Sequence, residues 1–115
     1  MHDKVLSIIR ETLLHENTIE GVSVDVCGRS VRISFAQPDE SYQYPDHELT
    51  LTFHCIKEFE VQTEFEQDTP FQELLGIECQ RTEDFYSAQV TLGRAGESQK
   101  CQLKLTFEDL TYERK

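Results

Sequence analysis

Along most of this chain apolar residues alternate with polar ones. That period of two puts every second side chain on one face, so it specifies β-strands buried on a single side. Val22, Val24 and Val26 alternate with Ser23 and Asp25, and Val31, Ile33 and Phe35 alternate with Arg32 and Ser34. Gly28-Arg29 separates the two runs, which together read as a hairpin. Leu49, Leu51, Phe53 and Cys55 form a third run. Ile56 and Lys57 break its phase, and a bulge or bend there restores the register to Phe59 and Val61. Ile77 and Cys79 indicate a short strand, and Tyr86, Ala88, Val90 and Leu92 a longer one. Cys101, Leu103, Leu105 and Phe107 make the clearest, beyond a glycine-bounded loop at Gly93-Arg94-Ala95-Gly96.

One segment departs from this period. Between Asp3 and Glu16, Val5, Ile8, Ile9, Thr12 and Leu13 recur at three- and four-residue spacing, the stripe of an amphipathic helix. Asp3 can cap its amino end and Asn17-Thr18 can stop it. The stripe must lie against something, and the rest of the chain offers only sheet. Pro70 at a first helical position predicts one further turn over Thr69-Pro70-Phe71-Gln72-Glu73-Leu74, which Gly76 ends. No repeat at a fixed period and no linker is visible, so the 115 residues read as a single α+β domain, 1–115. Its N-terminal helix is expected to pack on a mostly antiparallel sheet of about five to seven strands.

Charge narrows the choice of partner. Asp and Glu number 22 against 11 Lys and Arg, a formal net charge of -11. Direct binding to nucleic acid or anionic lipid is therefore unfavourable, and a basic protein is the natural partner. No stretch approaches the roughly 18 apolar residues of a membrane span, and Met1-His2-Asp3-Lys4 opens no export signal, so a cytoplasmic location is expected. Among reduced thiols, Cys27, Cys55, Cys79 and Cys101 should stay free, with Cys55 and Cys101 in step with apolar neighbours as small core residues.

Signatures of chemistry are sparse. No Cys-x-x-Cys or His-x-x-x-His pair marks a metal site, and no Gly-x-Ser-x-Gly elbow or glycine-rich phosphate loop occurs. The expectation is a binding protein without catalytic activity, metal or cofactor. A small hydrolase or ligand-binding domain, its site assembled from His54 or His47 beside a cysteine and a carboxylate, is the reading from a different class.

The most informative cluster runs from Glu58 to Asp68: Glu58, Glu60, Glu64, Glu66 and Asp68 alternate with Phe59, Val61 and Phe65. Residues two apart on a strand stand about 6.6 Å from each other, so an extended segment would carry a row of carboxylates on one face. Such a row either guards an exposed strand against edge-to-edge pairing or docks the Lys and Arg of a partner. Tyr42, Tyr44 and Asp46, in the loop between Gln37 and His47, join these acids as candidate partner-binding residues, because tyrosine offers rigid contact area with a polar tip. Imitation of a nucleic-acid backbone needs a denser array, about one charge per 3.4 Å. A second row from Asp39, Glu40, Asp46 and Glu48 could supply it.

The stretch Glu48-Leu49-Thr50-Leu51-Thr52-Phe53 through Ile56, followed by Leu75-Gly76-Ile77, Val90-Thr91-Leu92 and Cys101 to Phe107, resembles the strand order of Imm50-type immunity proteins of bacterial polymorphic toxin systems. His2-Asp3-Lys4-Val5-Leu6 is similar to that family's leading His-Asp followed by apolar residues. The resemblance implies a cytosolic inhibitor that binds a toxin directly, and it carries over no catalytic residue. Both lines of reading lead to an acidic immunity protein that neutralises a toxin or other basic enzyme, such as a nuclease. The alternative is a viral anti-defence protein or nucleic-acid mimic that blocks a DNA- or RNA-binding enzyme. An exposed strand edge also allows a homodimer.

Overall fold

The computed structural model describes residues 3–14, 17–37, 47–63, 73–94 and 100–115. Helix α1 (Lys4–Leu13) precedes eight strands: β1 (Thr18–Asp25), β2 (Ser30–Gln37), β3 (His47–His54), β4 (Glu58–Gln62), β5 (Glu73–Arg81), β6 (Tyr86–Gly93), β7 (Lys100–Phe107) and β8 (Asp109–Arg114). They form one sheet in the order β4-β7-β6-β5-β1-β2-β3-β8, with every neighbouring pair antiparallel. One helix on an antiparallel sheet is the expected class, but the sheet exceeds five to seven strands. The additional strand is β8, whose alternation is short and buries only Leu110 completely. Glu73 and Leu74 extend β5 instead of closing a helical turn, and Thr69 to Gln72 lie outside the described residues.

The bend anticipated near Ile56 organises the whole sheet. Cys55 takes a left-handed φ of 56° there, and the chain turns from β3 into β4. β3 pairs with β8 from Leu49↔Arg114 to His54↔Asp109, and β4 pairs with β7 from Glu58↔Thr106 to Gln62↔Gln102. Between the two ladders Glu108 N–H donates to the His54 carbonyl at 3.1 Å and Lys57 N–H to that of Thr106 at 2.7 Å. Two long bent strands, β3–β4 and β7–β8, therefore run antiparallel through one corner. Phe53 and Phe107 meet there edge to face at 4.9 Å, and Tyr86 stacks on Phe107 at 5.6 Å.

This crossing divides the sheet into two halves built alike, β1-β2-β3 with β8 and β5-β6-β7 with β4. Thr18, Ile19 and Gly21 stand in β1 as Glu73, Leu74 and Gly76 stand in β5, with the same register irregularity before each glycine. Val31, Ile33 and Phe35 in β2 face Phe53, Leu51 and Leu49, while Ala88, Val90 and Leu92 in β6 face Leu105, Leu103 and Cys101. The loops differ in length between the halves, so this structural repeat has no fixed period in the sequence. The halves also touch through a single pair, Thr18↔Glu73, beyond which β1 and β5 part.

The inner faces of the halves share one apolar core, in which Phe35, Phe53, Phe107, Ile33, Leu51 and Leu105 are almost completely buried. Each such side chain contributes roughly 1.5–3 kcal/mol through removal from water. α1 buries Val5, Ile8, Ile9 and Thr12 against β8 and β5, as its stripe requires. Asp3 is its cap: Oδ1 accepts from Val5 N–H at 3.0 Å and Leu6 N–H at 3.2 Å. The same carboxylate takes the Tyr86 hydroxyl at 3.0–3.1 Å and pairs with Arg81 at 3.2 Å, locking the helix onto β5 and β6. At the other end Thr12 C=O accepts from Asn17, whose Oδ1 accepts from Gln37 at 2.9 Å, tying the helix exit to β2.

Burial raises the Asp3 carboxyl, but the donors from Leu6, Tyr86, Arg81 and Val5 outweigh it and hold its pKa below the usual carboxylate value. A lowered folded-state pKa adds stability above the unfolded value, about 4, and that stability is lost as pH falls through the folded value. Asp3→Ala should therefore cost about 1–2 kcal/mol at neutral pH, measured by urea unfolding. Asp3→Asn should keep much of the cap and flatten the acid limb of the stability curve.

Candidate functional site

β4 alternates acidic and apolar residues, and its pairing with β7 decides where each set points. Phe59 and Val61 stand opposite the core residues Leu105 and Leu103, so they face inward; Glu58 and Glu60 stand opposite Thr106 and Lys104 on the outer face. β4 ends the sheet, and the outer face of its half is a polar surface spanning four strands.

Two rows cross this surface. Glu60, Lys104, Gln89 and Glu78 stand side by side on β4, β7, β6 and β5; Glu58, Thr106, Ser87 and Gln80 do so one step along. The curvature of the four strands makes these rows the lining of a groove of about 370 Å³. Three carboxylates, Glu58, Glu60 and Glu78, share it with one ammonium, Lys104. Glu60 and Glu78 are three strands apart, roughly 14 Å, with Lys104 and Gln89 between them. Glu60 accepts from Gln62 Nε2 at 3.2 Å, and among the described residues Lys104 forms no ion pair with either glutamate. The groove therefore keeps a net negative charge, open to solvent and to a cationic group from outside.

The other half provides a comparison within the molecule. In the equivalent row Thr111, Thr52, Arg32 and Ser23 replace Glu60, Lys104, Gln89 and Glu78. Asp109 holds the place of Glu58 but pairs with Lys4 at 3.5 Å. Asp25 holds the place of Gln80 and accepts from Gly28 N–H at 2.9 Å, so the carboxylates in these two rows of the other half are engaged within the molecule, whereas among the described residues Glu58, Glu60 and Glu78 form no ion pair.

Of the residues singled out from the sequence, Glu58 and Glu60 lie together in this groove. Glu64, Glu66, Asp68, Tyr42, Tyr44 and Asp46 lie outside the described residues, as do Asp39 and Glu40. Glu48 belongs to β3 in the opposite half, where its backbone exchanges hydrogen bonds with Lys115, so it adds no second acidic row beside β4. Glu78 and Lys104 escaped the sequence reading. Each is one polar residue in an alternating strand, and only the pairing of β5, β6, β7 and β4 brings them beside Glu60.

His54 bonds to Thr111 Oγ1 at 2.7 Å, and His47 is exposed at the start of β3. Among the described residues no group of three or more His, Cys, Asp or Glu could hold a metal ion. Cys55 departs from expectation. It sits exposed at the bend rather than in the core, because the left-handed turn ends the alternation one residue early. Cys101 is buried as expected, and burial raises its thiol pKa. Burial, with the nearby Asp3 carboxylate, pushes Cys79 up to about 11.

The comparisons with known proteins bear on the fold. No family model matches the chain, and no curated protein matches it. A crystal structure of an uncharacterized protein from Neisseria gonorrhoeae superposes with a TM-score of 0.55 at 13% identity, covering 86% of this chain and 91% of that one. At such identity the likeness concerns architecture alone.

Thiolate is the reacting form of cysteine. A disulfide reagent at mildly alkaline pH should therefore label Cys27 and Cys55, both exposed, in a fast phase. Cys79 and Cys101 should follow only as the protein unfolds; mass spectrometry of the labelled peptides reads the order.

Proposed function

We propose that this chain is a binding protein of the inhibitor or immunity class, which captures a basic protein partner through the acidic outer face of β4, β7, β6 and β5. The observation that carries the reading is the groove in which Glu58, Glu60 and Glu78 outnumber Lys104 and form no ion pair among the described residues, whereas Asp25 and Asp109 in the equivalent rows of the other half are held by Gly28 N–H and Lys4. A partner's Lys and Arg side chains would enter between Glu60 and Glu78, with Gln89, Gln80 and Ser87 as hydrogen-bonding neighbours. A net charge of -11 would also speed the encounter with a cationic molecule. The likeness of the strand pattern to Imm50-type immunity proteins suggests a toxin as that partner and the cytoplasm as the place of action.

The alternative, mimicry of nucleic acid, draws less support from the groove. Lys104 stands in its middle, and a phosphate backbone presents no cation.

Capture from a lysate followed by titration of the purified partner tests the proposal. The combined substitutions Glu58→Lys, Glu60→Lys and Glu78→Lys should weaken binding by about tenfold or more at low salt and reduce its salt dependence. All three positions are exposed, so thermal unfolding should change little. Unaltered affinity in the folded variant would remove the groove from the mechanism. Self-association of the variant, with binding intact, would assign the carboxylates to edge protection instead.

A further inference from the structure

We draw no further inference here: the strongest candidate, the partly exposed apolar inner face of β1 and β4 at Val22, Val24 and Val61, carries nothing because nothing in the structure shows what covers it.

Discussion

Everything in this molecule hangs on the corner where two long strands bend together. If β3 continued straight it would remain in its own half, and β4 would extend that half's edge. The left-handed turn at Cys55 instead carries β4 across to β7, and the matching bend at Glu108 carries β8 across to β3. Each half is thereby completed by a strand whose chain neighbours lie in the other. A non-glycine residue at positive φ is costly by itself, of order 1 kcal/mol. It is held here by hydrogen bonds on both sides of the bend and by the Phe53–Phe107 contact beneath. Because β1 and β5 meet through one pair only, this corner and the core under it join the halves.

The exchange gives β4 its character. As a terminal strand it is flanked on one side only, so its polar face opens onto the groove and its apolar face is only partly covered. α1 resolves the matching situation at β8 by lying across the gap to β5, held by the Asp3 carboxylate on Tyr86 and Arg81. The surface carboxylates differ in their partners: Asp25 and Asp109 of one half are held by Gly28 N–H and Lys4, while Glu58, Glu60 and Glu78 of the other form no ion pair among the described residues.

Much of the fold was legible in the chain because local pattern and tertiary role agree there. Val31, Ile33, Phe35, Leu49, Leu51 and Phe53 alternate cleanly and are almost completely buried, and Asp3 stands where a cap must stand. Reading failed where the two diverge. Val22, Val24 and Val26 share that alternation yet remain exposed, since burial depends on a covering layer that the residues themselves do not encode. β8 carries a weak signal because Leu110 alone of its inward residues is completely buried, and Cys55, in phase with Leu51 and Phe53, leaves the core because the bend ends the alternation before it.

Within the candidate site, the row Glu58 and Glu60 was visible because alternation along one strand is a local property, read from neighbours in sequence. Its partners Glu78 and Lys104 were not, because they come from strands distant in the chain and meet Glu60 only through the order β4-β7-β6-β5. The sequence alone determined which segments are extended, which one is helical, and that the chain carries an excess of negative charge, since these depend on period and composition. Tertiary structure alone decided which carboxylates share one groove and which stand beside Lys104. Both follow from strand order and register, and those are set by the bend that sends β4 and β8 to opposite halves.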